Sequence, residues 1–180
     1  MRGVLVVAAT GRELCAQWGL VCGVGPVEAA AATARALALD RPDAVLHVGL
    51  AGGRALVPGT VVIGSEARYA DLEAAIPVTS LVEPHPALLA AARAALPDAL
   101  LLPIATTATV GATRSSDAVV EAMEGFAVLR ACALAGVPAI EVRVVSNELG
   151  ERDRARWELE PAFEMLAGIL PGLRAALAPE

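Results

Sequence analysis

The sequence predicts a three-layer α/β/α fold with a central mixed, largely parallel twisted sheet. Short runs rich in valine, leucine and alanine alternate along the chain with segments whose leucines recur at helical spacing. Glycine, proline, aspartate or arginine interrupts the apolar runs at short intervals. Continuous apolar runs of this kind are typical of strands covered on both faces, and strands that alternate with helices favour a parallel sheet.

Each element follows from its local pattern. Apolar runs predict strands at 3–9, 20–24, 44–48, 61–63, 100–105, 118–123 and 139–145. Helical spacing predicts helices at 26–39, 86–96, 125–135 and 161–177. The first of these begins with Pro26, which suits the first helical position, and Pro171 is expected to kink the last. The glycine-rich segment 49–53 is predicted to be a loop, and segment 65–69 is expected to follow the end of its strand.

The chain is expected to form a single domain over 1–180. A domain of this length buries roughly 70% of the surface that its unfolded chain exposes. The composition is 56% hydrophobic, yet the sequence has no apolar run of the roughly 18 residues that a spanning helix needs. The first apolar run, 3–9, is too short for a signal peptide. We therefore expect a cytoplasmic protein without a membrane partner.

Charge and composition argue against a nucleic-acid partner. The formal net charge is −6, all fourteen basic residues are arginine, and they form no basic run. Two tryptophans, one tyrosine and two phenylalanines are few for stacking on bases. Binding to a phosphate backbone requires clustered positive charge.

Neither a metal nor another cofactor is predicted. His47 lies in an apolar strand and His85 lies between two prolines, so neither has a partner at metal-ligand spacing. Cys15, Cys22 and Cys132 form no CxxC pair and adjoin apolar residues, which is typical of buried thiols in a reducing compartment.

Two nucleotide-binding motifs can be excluded. Gly23-Val24-Gly25 begins like GxGxxG, but Glu28 replaces the third glycine, and a carboxylate there would face a pyrophosphate with the wrong charge. A P-loop requires a lysine, and the sequence contains none.

Polar residues that follow apolar runs are the candidates for chemistry, because ligands of open α/β sheets bind at the carboxyl ends of strands. They are Glu13, the glycines of 49–53, Glu124 after Met123, and Ser146-Asn147. Structural alternatives remain open: Glu13 could be an exposed helical carboxylate, and the glycines could only form a turn. Glu141 and Arg143 place two charges on one face of an apolar strand, where they could also pair with other residues across the sheet.

Six segments, in this order, resemble the nucleoside phosphorylase and nucleosidase superfamily, and specifically its hydrolase branch. They are VVAATGRE (6–13), CGVGPVEAA (22–30), VGLAGG (48–53), SEARYAD (65–71), VEAMEGFA (120–127) and GVPAIEVRVVSN (136–147). Within the branch, EAMEGFA followed by VSNxxGxRDxxxW most resembles the futalosine hydrolases. The segment between Glu13 and Leu20 is shorter than in most members.

The resemblance implies roles for individual residues. Glu13 would activate the attacking water, and Glu124 would bind the ribose 2′ and 3′ hydroxyls. Arg143 would help to position the water and Glu124. Met123 and Val110 would pack on the sugar and base. The backbone of the glycine-rich segment, at Ala51 and Gly52, would approach the substrate closely.

Asn147 stands where adenine-specific nucleosidases carry an aspartate. A carboxamide can accept a hydrogen bond from a protonated N7 and donate one to a 6-oxo group, whereas an ionised carboxylate would repel that oxygen. A mismatched buried hydrogen bond costs about 1–3 kcal/mol, or roughly tenfold to hundredfold in discrimination. A 6-oxopurine nucleoside that releases hypoxanthine is therefore the predicted substrate.

The sequence leaves three alternative functions open. They are a purine nucleoside phosphorylase, a nucleosidase for methylthioadenosine or adenosylhomocysteine, and a non-catalytic nucleoside-binding protein. A phosphorylase needs several arginines around phosphate, and Asn147 argues against adenine. The resemblance also implies a homodimer or a larger homo-oligomer.

Overall fold

A computed structural model describes residues 3–109 and 118–178 of the chain. Its strands are β1 (Val4–Ala8), β2 (Gly19–Val21), β3 (Ala44–Gly53), β4 (Val61–Tyr69), β5 (Leu81–Val82), β6 (Leu100–Thr106), β7 (Val120–Ala122) and β8 (Ala139–Glu148). Its α-helices are α1 (Pro26–Leu39), α2 (Pro86–Ala95), α3 (Gly125–Ala135) and α4 (Leu159–Ala176), and Arg154–Arg156 form a short 3-10 turn.

The eight strands join in one mixed sheet, which confirms the predicted fold class. β1 pairs in parallel with β2 and β3, and β3 pairs in parallel with β8. β8 pairs antiparallel with β4. β4 pairs in parallel with β6, and β6 pairs in parallel with β7. β7 returns to pair with the end of β3, so five strands close a ring. The sequence did not indicate this closure, which brings the ends of β3, β7 and β8 together.

Three strands extend further than their apolar runs. The prediction of a loop at 49–53 is wrong, because β3 continues to Gly53 while paired with β8 as far as Glu148. The register between them shifts at Ala51/Gly52. β4 likewise continues to Tyr69, paired with β6. Backbone pairing with β8 and with β6 holds the glycines and polar residues in extended conformation, although hydrophobicity alone indicates an earlier end.

Helices cover both faces of the sheet. On one face, α2 and α4 pack against β1, β3 and β8, and the leucines that α4 contributes are fully or almost fully buried: Leu166, Leu170 and Leu173. On the other face, α1 and α3 pack through small side chains such as Ala29 and Cys132. Burial of a leucine of this kind contributes about 1.5–3 kcal/mol. α4 continues past Pro171 to Ala176.

No helix in residues 3–109 and 118–178 combines the length and the apolar character that membrane crossing requires. The three cysteines of this part of the chain are free thiols, and Cys22 and Cys132 are buried. Burial raises the pKa of Cys132 to about 12, which keeps this thiol protonated and unreactive near neutral pH.

Candidate active site

A cavity of about 890 Å³ opens at the carboxyl ends of β1, β3, β7 and β8. This is the edge of an α/β sheet where ligands bind. Six of the predicted site residues line it, contributed by four separate stretches of chain: Glu13, Ala51, Gly52, Met123, Glu124 and Asn147. Val110 lies outside the described residues. The volume lies within the range of small-molecule sites.

Glu13 lies in the turn 11–16 that follows β1, and its side chain is largely buried. Its Oε2 accepts hydrogen bonds from the backbone N of Thr10 at 2.9 Å and from the Thr10 hydroxyl at 2.8 Å. Its Oε1 accepts one from the backbone N of Leu50 at 3.1 Å. Three donors on two different segments therefore fix the carboxylate at the cavity wall, which is not the arrangement of an exposed helical side chain.

The turn after Glu13 is tightly wound. Cys15 and Ala16 have positive φ angles of 49° and 61°, a region that residues other than glycine seldom occupy. Leu14, the residue between Glu13 and Cys15 in the sequence, packs into the core. This short connection leads directly into β2.

Glu124 is buried at the start of α3 and is held from two sides. Its Oε1 accepts a hydrogen bond from the backbone N of Gly25 at 3.0 Å, and its Oε2 lies 3.3 Å from Nη2 of Arg143. Gly25 has a φ of 94°, which favours glycine at this position because a side chain would strain the backbone. The glycines of 23–25 therefore present a backbone donor to Glu124.

Arg143 does not line the cavity but lies fully buried behind its wall. Its Nε donates to Oε1 of Glu141 at 2.8 Å, and its Nη1 lies 3.4 Å from the carbonyl oxygen of Leu50. Burial by itself would lower the pKa of Arg143, but the carboxylates of Glu141, Glu124 and Glu13 together raise it. The guanidinium therefore remains charged. Arg143 pairs with Glu141 on its own strand and also with Glu124 at the cavity.

His47 completes this network, although the sequence analysis considered it only as a metal ligand and argued against that role. Its Nδ1 lies 3.0 Å from the carbonyl oxygen of Val7, and its Nε2 lies 2.5 Å from Nη2 of Arg143. A carbonyl can only accept and a guanidinium can only donate, so the proton is on Nδ1. Burial, followed by the charge of Arg143, lowers the pKa of His47 far below its usual value. His47 pairs with Glu141 across β3 and β8, but the fold sets this register and the sequence does not indicate it.

Asn147 lies at the end of β8 with its carboxamide largely buried at the cavity wall. Its Oδ1 accepts a hydrogen bond from the Ser146 hydroxyl at 2.8 Å, and its Nδ2 donates to the carbonyl oxygen of Glu148 at 3.0 Å. A carboxamide has two N–H donors and two lone pairs. One donor and one acceptor position therefore remain for a ligand, in an orientation fixed by Ser146 and Glu148.

Two aromatic residues that were not predicted as substrate contacts, Trp157 and Phe163, also line the cavity. Trp157 donates its indole N–H to the carbonyl oxygen of Glu151 at 3.1 Å. Phe163 lies beneath the guanidinium of Arg12, 4.0 Å from its Cζ to the ring centroid, and Arg12 also pairs with Glu160. The tryptophan that ends the pattern VSNxxGxRDxxxW was the available signal.

In the described part of the chain, no three His, Cys, Asp or Glu side chains are grouped as metal ligands. The carboxylates of the cavity are instead held by backbone N–H groups, a hydroxyl and Arg143. These partners leave the carboxylates available for proton transfer and for interaction with positive charge.

The sequence is similar to one family of known proteins. The family model of the phosphorylase superfamily matches residues 3–168. Futalosine hydrolase of Streptomyces coelicolor is 40% identical over 184 residues, covering 88% of this chain and 78% of that protein. Futalosine hydrolase of Acidothermus cellulolyticus is 36% identical over 182 residues, covering 87% of this chain and 75% of that protein.

Two solved structures show the same fold at lower identity. A methylthioadenosine/adenosylhomocysteine nucleosidase from Colwellia psychrerythraea, in complex with adenine, has a TM-score of 0.85 at 23% identity and covers 98% of this chain and 96% of its own. Futalosine hydrolase of Helicobacter pylori has a TM-score of 0.82 at 16% identity and covers 96% and 97%.

Proposed function

The chain belongs to the phosphorylase superfamily and, within it, to the futalosine hydrolases, and on this premise we propose that it hydrolyses the N-glycosidic bond of futalosine and releases hypoxanthine. The structural observation that supports this most directly is that Glu13, Glu124 and Asn147 line one cavity. They come from distant parts of the chain, and each is oriented by hydrogen bonds. This activity places the protein in the futalosine route to menaquinone.

Glu13 is the proposed general base. As the bond between C1′ and N9 breaks, the water oxygen bonds to C1′, and Glu13 takes the proton that the water loses. The departing hypoxanthine takes up one proton, so the reaction consumes one water. The hydrogen bonds from Thr10 and Leu50 fix the carboxylate, and a general base of this kind typically contributes 10²–10⁴-fold.

Glu124 is the proposed ribose-binding carboxylate. Positive charge develops on the sugar in the transition state, and a fixed negative charge beside it is stabilising. The carboxylate is anchored by the Gly25 backbone and by Arg143, so it does not need to reorganise during the reaction. Arg143 has no contact with the cavity and acts through Glu124, as a positioning residue.

Asn147 is the proposed contact to the base. Its remaining N–H and its remaining lone pair match O6 and a protonated N7 of hypoxanthine. The carbonyl oxygen of Glu148 fixes which atom of the amide is the donor, because a carbonyl can only accept, and the Ser146 hydroxyl then donates to Oδ1. This arrangement favours a 6-oxopurine over adenine.

Hydrolysis is favoured over phosphorolysis by the charges around the cavity. Glu13 occupies the wall where an anion would have to approach, and Arg143 is buried among carboxylates. Of the arginines that the structure describes, three line the cavity, and each already has an interaction: Arg12 is paired with Glu160, Arg154 lies over the ring of Trp157, and Arg152 also contacts a partner. A phosphate would therefore face a carboxylate where it needs several free arginines.

The test is incubation of the purified protein with futalosine, inosine, methylthioadenosine and adenosylhomocysteine, with and without phosphate, followed by chromatography of the released base. We expect hypoxanthine from futalosine at a rate independent of phosphate. Turnover that requires phosphate would refute hydrolysis, and release of adenine in preference to hypoxanthine would refute the base assignment.

We further propose that the protein is a cytoplasmic homodimer or larger homo-oligomer. Large apolar side chains near the start of α1 and β2 are exposed, with Trp18 at 72% and Val27 at 77%. The free thiols suit a reducing compartment. Light scattering after size-exclusion chromatography would test the assembly, with a monomeric mass as the contrary result, and cell fractionation would test the location.

A further inference from the structure

Glu141 is a buried carboxylate that does not line the cavity. Its Oε1 accepts the hydrogen bond from Nε of Arg143, while its Oε2 is buried and has no hydrogen-bond partner among the described residues. The carboxylate lies against Gly125, where a Cβ would overlap it. Burial of a charge is costly unless it is paired, so the position of this glutamate requires an explanation.

The position of Glu141 determines the direction of the Arg143 guanidinium. Glu141 binds Nε, and Glu124 lies against Nη2. Because a guanidinium is planar and its donors form a rigid fork, a bond at Nε sets the directions of both terminal nitrogens. His47 accepts a hydrogen bond from Nη2 as well. The orientation of Glu124 at the ribose therefore depends on a contact made on the far side of Arg143.

Glu141 also changes the charge of the site. Three carboxylates surround one guanidinium here, those of Glu13, Glu124 and Glu141. His47 is neutral, so with Glu141 ionised the group as a whole is negative. A positive charge that develops on the ribose is stabilised by this excess of negative charge.

We propose that Glu141 is a positioning residue for the hydrolysis. It orients Glu124 through Arg143, and its negative charge repels those of Glu13 and Glu124. The inference rests on the proposed function, since it assigns a part in the same reaction to a residue that cannot touch the substrate.

The groups that face Glu141 support an electrostatic role. They are Arg143 on its own strand, His47 on β3 and Glu124 at the start of α3. Gly64 of β4 and Gly125 of α3 also lie against Glu141, and neither residue carries a charge. Burial raises the pKa of Glu141, and the charge and hydrogen bond of Arg143 oppose this rise.

The experiment compares Glu141→Gln, Glu141→Asp and the control Glu164→Gln, which alters an exposed carboxylate of α4. Steady-state kinetics with futalosine are measured from acidic to neutral pH, and thermal unfolding shows that each variant is folded. Glutamine preserves the length and an acceptor for Nε but removes the charge. Aspartate preserves the charge but shortens the side chain.

For Glu141→Gln we expect kcat to fall on the order of tenfold to a hundredfold, with KM close to the wild-type value. The acidic limb of the kcat profile should move to lower pH, because a removed negative neighbour makes the remaining carboxylates easier to ionise. Glu141→Asp should reduce kcat but leave the acidic limb of the kcat profile at the same pH as in the wild type. The Glu164→Gln control should match the wild type in both respects.

Wild-type kcat in either Glu141 variant, or an acidic limb that stays in place in Glu141→Gln, would overturn the proposal. If the glutamine variant does not fold, the kcat of the aspartate variant decides. Failure of the proposed function is distinct, because the wild-type protein would then release no hypoxanthine from futalosine.

Discussion

Nη1 of Arg143 occupies the space that a Cβ atom on Gly49 would need. The same Cβ would lie 2.7 Å from Oε1 of Glu13. The absence of a side chain at this position of β3 therefore allows a buried guanidinium and a cavity carboxylate to approach each other. Both groups are held by further hydrogen bonds, so neither can move aside freely.

Gly49→Ala should displace Arg143 and Glu13 and reduce kcat on the order of a hundredfold, because small misplacements of catalytic groups have effects of this size. It should also lower the free energy of unfolding by about 1–3 kcal/mol, as overpacking does. Gly168→Ala is the matched control, since a Cβ there meets nothing within 4 Å. The measurements are steady-state kinetics and urea unfolding. Equal behaviour of the two variants would contradict the close approach at Gly49.

Glu13→Gln should leave KM for futalosine nearly unchanged and lower kcat by about 10²–10⁴-fold. An amide can keep the hydrogen bond from Leu50, but it cannot take a proton from water. Glu164→Gln is a suitable control, because Glu164 is exposed on α4 and does not line the cavity. Turnover of Glu13→Gln at the wild-type rate would show that another group activates the water.

Asn147→Asp should shift the preference away from 6-oxopurines, by roughly tenfold to a hundredfold in the ratio of kcat/KM values. An ionised carboxylate repels O6 but can accept from a 6-amino group. The comparison uses inosine with adenosine, and futalosine with methylthioadenosine. An unchanged ratio would remove Asn147 as the determinant of the base.

His47→Gln should flatten the pH dependence of stability below about pH 6.5. In the folded protein burial and Arg143 keep His47 neutral, while in the unfolded chain it binds a proton below that pH. The stability it contributes is therefore complete above the unfolded pKa and is lost as the pH falls, by about 1.4 kcal/mol per pH unit.

The measurement is urea unfolding at several pH values between neutral and acidic. His85→Gln serves as the control, because it replaces an exposed histidine by the same residue. The same slope in His47→Gln and in the wild type would show that His47 does not remain neutral in the folded state.

Much of the architecture could be predicted because it depends on local patterns. The bounds of α1 and α3 agree with the structure, since a proline at the first helical position starts one and a glycine in the left-handed conformation, Gly136, ends the other. The extensions of β3, β4 and β8 were missed, because pairing with neighbours rather than local hydrophobicity maintains them. His47 was missed as part of the site for the same reason, since its partners are remote in sequence.

The sequence by itself determined the layered α/β architecture, the family, and the identity of the acidic and amide residues that face the cavity, because apolar periodicity and short motifs are local properties of a chain. Only the tertiary structure decided that Glu13, Glu124 and Asn147 share one cavity, and that Arg143 lies behind it with Glu141 and His47. The physical reason is strand pairing: β1 pairs with β3, and β3, β8, β4, β6 and β7 close a ring, so their hydrogen bonds join segments far apart in sequence and set which side chains meet.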